Sequence, residues 1–284
     1  MSKADLHIHT HFSDSSLSPK EIVEYAQQIG LKTISITDHD GIEGIDEAIK
    51  YAKPYGIEVI PGVELSAEIE TGELHILGYF IDWKDKWFNE KLHIFRQVRK
   101  KRAYLIVSKL KELNIDIDYE QVLQIAKTEL LNGAVSRVHI ATALCKMKVV
   151  DSIKIAFERY LNYGAQAYVP KFSLTPKQAI EMILNIGGIP VLAHPYLSNC
   201  PDNLIAELVQ FGLKGLEVYH PQQNIKGKQY CQKMAQKYKL LMTGGSDCHG
   251  IFKESILIGT VTVDDDVVNR MKEMRSISKI SCKD

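Results

Sequence analysis

What the chain lacks narrows its class before any motif is read. It has no thiol pair spaced for a metal or redox site: its five cysteines (Cys145, Cys200, Cys231, Cys248 and Cys282) are odd in number, scattered and without a CxxC pair. That argues against a disulfide framework or a thiolate metal site and points to a reducing cytoplasm. It has no net charge, since 35 basic residues balance 35 acidic ones. No global field therefore draws long nucleic acid, and any attraction for phosphate must be local. No apolar run reaches a membrane-spanning length, and the N-terminus opens directly into a strand-like run, so secretion and membrane insertion are both disfavoured. What remains is a chain of 284 residues, 45% hydrophobic. That is enough for a large core, and fits one large domain with a small insertion better than two equal domains.

Nitrogen and oxygen ligands are plentiful. In Ala4-Asp5-Leu6-His7-Ile8-His9-Thr10, successive side chains of a strand point to opposite faces, so His7 and His9 share one face. Their imidazoles then sit roughly 6 to 7 Å apart, close enough to share a metal. Asp14 follows just beyond. The strand-like run at 33–37 delivers Asp38 and His39, and the run at 57–63 delivers Glu64. His75 lies in Glu73-Leu74-His75-Ile76-Leu77, His194 follows the run at 189–193, and Asp247 and His249 follow the run at 240–246. The set His7, His9, Asp14, His39, Glu64, His75, His194, Asp247 and His249 holds too many ligands for one ion. It predicts two or three divalent cations and metal-assisted hydrolysis. Its placement after strands is where barrel enzymes build their sites.

Between the ligands, strand and helix alternate. Ser18-Pro19-Lys20-Glu21 reads as a capping box with proline at the first helical position, and Ile22, Val23, Ala26 and Ile29 form an apolar stripe that Gly30 ends. Thr175-Pro176-Lys177-Gln178 repeats that grammar. Further helices are predicted over 45–53, 203–211 and 226–238, and repeated βα units imply a parallel sheet, here closed as a barrel. Residues 86–164 differ, being mainly helical without a convincing strand: 87–113, 118–127, 137–147 and 151–163. We read residues 1–85 and 165–284 as the barrel and 86–164 as a helical insertion that caps its mouth. The densest charge of the insertion, Arg96, Arg99, Lys100, Lys101 and Arg102, reads as a solvated helix face. In Val135-Ser136-Arg137-Val138-His139, an arginine and a histidine open an amphipathic helix, where a guanidinium and helix-end N–H groups together suit an anion.

Taken together, Asp5-Leu6-His7-Ile8-His9-Thr10, Thr37-Asp38-His39-Asp40, Gly62-Val63-Glu64, Ala193-His194-Pro195 and Ser246-Asp247-Cys248-His249 resemble the motifs of the PHP (polymerase and histidinol phosphatase) family of metal-dependent phosphoesterases, in family order. The resemblance implies an α/β fold, a distorted (β/α)7 barrel of about seven parallel strands, and a trinuclear centre of manganese first, iron or zinc next. The insertion is similar to that of small phosphatases acting on nucleoside 3′,5′-bisphosphates, some of which also trim short RNAs from the 5′ end. Arg137-Val138-His139 stands where those proteins tend to have Arg-Pro-His. The resemblance makes Arg137, His139 and Lys171 candidate substrate-binding residues, and a small phosphorylated substrate the expected partner. Asp38, His220 and His249 are candidates for acid or supporting roles, among which the sequence does not choose. Cys248, between two ligands, is expected to pack and not to react. Two other readings stay open: a histidinol-phosphate phosphatase, and a non-catalytic metal-binding module of the kind attached to some polymerases.

Overall fold

The computed structural model describes residues 3–69, 72–129, 135, 137–170, 174–250 and 255–281. In chain order the elements are β1 (Lys3–Ile8), α1 (Pro19–Gln28), β2 (Thr33–Ile36), α2 (Gly44–Ala52), β3 (Glu58–Ile69), β4 (Gly72–Tyr79), α3 (Lys86–Glu112), α4 (Tyr119–Glu129), α5 (Arg137–Lys146) and α6 (Ile153–Ala156). Then follow α7 (Pro176–Asn185), β5 (Ile189–Leu192), α8 (Asp202–Gln210), β6 (Gly215–Tyr219), α9 (Ile225–Tyr238), β7 (Leu241–Gly244), β8 (Val263–Asp264) and α10 (Asp265–Ser281). The chain divides into two compact units, Met1–Asn89 with Ser173–Asp284, and Glu90–Phe172.

The first unit is an eight-stranded sheet in the order β7-β6-β5-β4-β3-β2-β1-β8, curled into a nearly closed barrel. The segment after β7 completes most of the circle, because Cys248 bridges to Ile8 in parallel fashion and the His9 N–H donates to the Cys248 carbonyl at 3.1 Å. β1 is buried along its length beyond Lys3, as a strand covered on both faces must be. The helix grammar holds at the atomic level. Ser18 and Glu21 form the capping box of α1, Thr175 and Gln178 that of α7, each with proline in the first turn. Such caps satisfy N–H groups that the helix itself cannot pair.

Two strands depart from the all-parallel expectation. β4 runs antiparallel to both β3 and β5, and β8 antiparallel to β1. For β4 the cause is the length of the connection. Ile69 pairs with Gly72, so only two residues join β3 to β4, too few for the crossover a parallel return needs. Glu64 and His75 therefore lie inside strands and not at their ends. Pairing of Glu64 with Leu77 and of Ser66 with His75 places Glu64 and His75 diagonally on one face.

Among its described residues the second unit has helices and turns but no strand, built on α3 through α6 with a π-type turn at Phe157–Leu161. Its core is its own: Ile106, Leu110, Val122, Ile140, Leu144 and Leu161 are all buried together. The basic face of α3 is partly structural, since Arg102 Nε donates to the Val169 carbonyl at 2.8 Å and its guanidinium lies over the Tyr168 ring. Among the described residues no helix is long and apolar enough to cross a membrane.

The barrel seam yields a direct test. A Cβ added at Gly245, just past β7, would lie 2.3 Å from the His7 backbone nitrogen and 2.5 Å from His7 Cβ. Backbone cannot give way as a flexible side chain does, so Gly245→Ala should destabilise the fold by about 3 kcal/mol, at the upper end for overpacking. A denaturant melt within about 0.5 kcal/mol of wild type, the range of an inert surface change, would show that β7 and β1 are not packed this closely.

Candidate metal centre

Seven segments of the barrel unit bring their polar side chains to one place. β1 and the residue after it supply His7 and His9, the following loop Asp14, the end of β2 His39, β3 Glu64, β4 His75, the end of β5 His194, and the segment after β7 Asp247 and His249. Glu64 is the hub. Its Oε2 lies 3.3 Å from His7 Nε2, 3.3 Å from His9 Nε2 and 3.2 Å from His39 Nδ1, while its Oε1 lies 2.9 Å from His75 Nδ1 and 3.4 Å from His194 Nε2. Asp247 Oδ1 is 3.2 Å from His9 Nε2. Asp14 Oδ2 is 3.4 Å from His249 Nε2 and 3.7 Å from His39 Nε2. Three groups of converging ligand atoms emerge: His9, Asp14, His39 and His249; His7, His9 and Glu64; and His39, Glu64 and His75. His7, His9 and Glu64 form the sealed floor, whereas Asp14 is 31% and His75 22% exposed.

These residues fit metal ions. Ligand atoms about 2.1 Å from a tetrahedral ion lie roughly 3.4 Å from one another, and the separations here bracket that value. Buried His9 Nδ1, His39 Nδ1, His75 Nδ1, Asp14 Oδ1 and both Glu64 oxygens make no hydrogen bond, despite their close neighbours. So many orphaned polar atoms are costly in a folded protein unless something else coordinates them. The donors are imidazole and carboxylate without thiolate, a set suited to manganese, iron or zinc. Cys248 is buried and its sulfur accepts from the backbone of Gly250 and Leu257 at 3.4 Å, which is the expected packing role.

The electrostatics agree. Burial opposes ionisation of Glu64, Asp14 and Asp247, yet the surrounding histidines outweigh it and hold all three well below the usual carboxylate range. Burial likewise disfavours a charged His75, but Glu64 and Glu73 push it up to about 10. For His7, Glu217, Glu64 and Asp247 overcome burial and lift it well above the ordinary value. His39 is the exception, carried down to about 4 chiefly by burial. A site that draws protons onto imidazoles in this way has the negative potential that would also draw a cation. Strained backbone marks the same places. His194 and Asp247 sit at φ 29° and 47°, a region that non-glycine residues seldom adopt.

The other sequence candidates occupy different positions. Asp38 is fully buried and accepts from the Thr10 N–H and hydroxyl, both at 2.7 Å, and from the Ser13 hydroxyl, so it braces the loop that carries Asp14. His220 accepts from the Gln222 N–H at Nδ1, which leaves Nε2 to donate to Asp247 Oδ2 at 3.2 Å. His249 lies among the converging ligands, with Nδ1 on the Asp247 carbonyl at 2.9 Å. Arg137 and His139 belong to the helical unit, Arg137 as the first residue of α5 with its guanidinium over the Phe157 ring and His139 buried at 4% exposure. Lys171 lies outside the described residues.

Two buried carboxylates escaped sequence reasoning. Asp5 accepts from the backbone N–H groups of Ser246 and Gly259 at 2.9 and 2.8 Å, tying β1 to the segment after β7, and burial pushes its carboxyl up to about 6. Glu217, on β6, is 2.9 Å from His7 Nδ1. The available signal was a lone acid inside an apolar strand, as in Gly215-Leu216-Glu217-Val218, which can be buried only against donors.

Comparison with known proteins agrees with this geometry. Residues 5–169 match the PHP domain family. A 5′-3′ exoribonuclease of Haemophilus influenzae is 35% identical over 251 residues, covering 87% of this chain and 90% of its own length. A 3′,5′-nucleoside bisphosphate phosphatase of Chromobacterium violaceum is 28% identical, covering 88% of each chain. The crystal structure of a Bifidobacterium adolescentis protein, presented as a candidate metal-dependent phosphoesterase, superposes with a TM-score of 0.84 at 30% identity over 94% of both chains. The barrel, its crowded mouth and these likenesses together make the chain a member of the PHP domain family and a metal-dependent hydrolase.

Proposed function

We propose that the chain hydrolyses a phosphate monoester of a small nucleotide, foremost the 3′-phosphate of nucleoside 3′,5′-bisphosphates, and that it also acts on short 5′-phosphorylated RNA. The observation that supports a hydrolytic centre of more than one ion is the sharing of Glu64 between two of the three ligand groups; we take the ions to be two to three in number, manganese first. The relatives named above support the substrate class. Divalent ions at such a site supply Lewis acidity toward a phosphoryl group and neutralise its charge. The chain's own residues do the rest. His7, His9, Asp14, His39, Glu64, His75, His194, Asp247 and His249 form the cradle. Asp38 holds the Asp14 loop, and His220 fixes Asp247 through its Nε2–H. Asp14, Glu64 and Asp247 contribute three negative charges against about six positive ones from three divalent ions, a surplus that suits a phosphate dianion.

We assign to Arg137 the phosphate that is not cleaved, with His139 and Lys171 in supporting roles. A guanidinium suits that task because its planar fork matches phosphate oxygens. A reducing cytoplasm is the compartment we infer, in keeping with the free Cys145, Cys200, Cys231 and Cys248. The decisive assay is phosphate release from adenosine 3′,5′-bisphosphate, histidinol phosphate and a short 5′-phosphorylated RNA with added manganese. The bisphosphate should be the fastest substrate, and preference for histidinol phosphate would replace this reading with the other phosphatase.

Two substitutions sharpen the account. Glu64→Gln removes a ligand common to two groups, so it should release more metal per chain than His249→Ala, which touches one; elemental analysis that gives equal losses would contradict a shared carboxylate. Arg137→Ala should raise KM for the bisphosphate by one to two orders of magnitude, or about 1.5 to 3 kcal/mol for a charge-assisted contact, with normal metal content. Hydrolysis of p-nitrophenyl phosphate, which has no second phosphate, should change little. Equal losses on both substrates would remove Arg137 from substrate binding.

A further inference from the structure

Glu217 stands behind the metal-facing residues and touches two of the segments that carry them. It is fully buried on β6, with Oε1 2.9 Å from His7 Nδ1 and Oε2 accepting from the His194 N–H at 2.9 Å. The far side of the His7 ring is the side that faces the centre, where Nε2 lies 3.1 Å from His9 Nε2, 3.3 Å from Glu64 Oε2 and 3.5 Å from Asp247 Oδ1. His194, for its part, has the strained φ of 29°. The pairing of β6 with β7 also shifts register between Glu217 and Tyr219, so the strand bends where this carboxylate leaves it.

We propose that Glu217 is a positioning residue for metal capture: by taking the Nδ1 proton side of His7 it turns the Nε2 lone pair toward the centre, and by holding the His194 N–H it pins the left-handed turn that aims the His194 ring. The argument is one of donors and acceptors. His194 N–H can only donate, and His7 must donate from Nδ1 if its Nε2 is to bind a cation. Both oxygens of the residue between them must therefore accept, which an ionised carboxylate does and an amide of the same shape cannot. Glutamine at this position would present one NH2 group. That group would either oppose the His194 N–H or take the Nδ1 lone pair of His7, moving the ring proton to Nε2 where a ligand electron pair is needed. Glu64 meets the two rings at their Nε2 atoms on the metal side; among the described residues, Glu217 is the group that meets the Nδ1 side of His7 together with the His194 backbone N–H.

This inference rests on the metal reading above, and the experiment keeps the two apart. Wild-type protein, Glu217→Gln and Glu217→Asp are stripped of metal and titrated with Mn2+ alone and with Co2+ alone, recording affinity, the visible Co2+ spectrum and the apo thermal melt. If Glu217 acts by its acceptor pattern, the isosteric glutamine should weaken the affected ion by roughly 10- to 100-fold and alter the Co2+ bands. Aspartate, which keeps two acceptors but is one methylene shorter, should retain more affinity than glutamine although it leaves more empty volume. A merely structural side chain predicts the reverse order, with aspartate as harmful as glutamine or worse. That result, or wild-type affinity and spectrum in Glu217→Gln, overturns the inference while leaving the metal centre intact. Failure of the wild-type protein to take up either ion would instead overturn the metal reading itself.

Discussion

The structure turns on one buried carboxylate. Glu64 is almost wholly sealed from water, yet both of its oxygens lie against imidazole nitrogens without a hydrogen bond between them. A charge in that position is expensive unless paired, and the histidines around it are crowded against one another: the ring centroids of His9 and His249 are 4.2 Å apart and those of His9 and His39 4.7 Å. A multiply charged cation between these groups would reconcile all of them at once. The barrel's irregularities follow from the same demand. The register shift in β1 between Asp5 and Ile8 lies around His7, and the left-handed residues His194 and Asp247 are ligands in this account. At these two ligands the strained backbone falls where a side chain must be aimed, whereas left-handed residues such as Asn114 and Lys239 simply close turns and helix ends.

Around this hub lies a layer of groups whose task is orientation. Asp38 ties Thr10 and Ser13 together beneath Asp14, His220 donates to Asp247, Asp5 joins the two sides of the barrel seam, and Glu217 spans His7 and His194. Asp38 commits both of its oxygens in this way. Proton transfer is therefore a poor assignment for Asp38, whose oxygens are committed to three donors, although its place beside His39 in the sequence invites one.

Much of this was legible in the sequence because its signals are short-range. The period of two in His7-Ile8-His9 fixes a shared face whatever the rest of the chain does, and the capping boxes at Ser18 and Thr175 are local chemistry that the structure reproduces atom for atom. The antiparallel β4 was not foreseen. A strand of alternating character such as Gly72–Tyr79 carries no mark of direction, and only the two-residue link to β3 decides it. Glu217 was missed for a different reason. Pairing of β5 with β6 sets His194 beside it, but His7 is brought to it by barrel closure, and a lone acid in an apolar strand says only that it is buried, not which donors it will meet. Loss of strand periodicity over 86–164 reads as a helical insertion, but Arg137 acquires meaning only through a substrate, and no pattern within α5 supplies that.

The most direct measurement is an anomalous difference map from crystals grown with manganese, collected near the manganese absorption edge. The account predicts at least two peaks at the barrel mouth, each about 2.0 to 2.6 Å from a carboxylate oxygen, with Glu64 in contact with more than one. Absence of any peak among His7, His9, Asp14, His39, Glu64, His75, His194, Asp247 and His249, in crystals that bind manganese elsewhere, would contradict it.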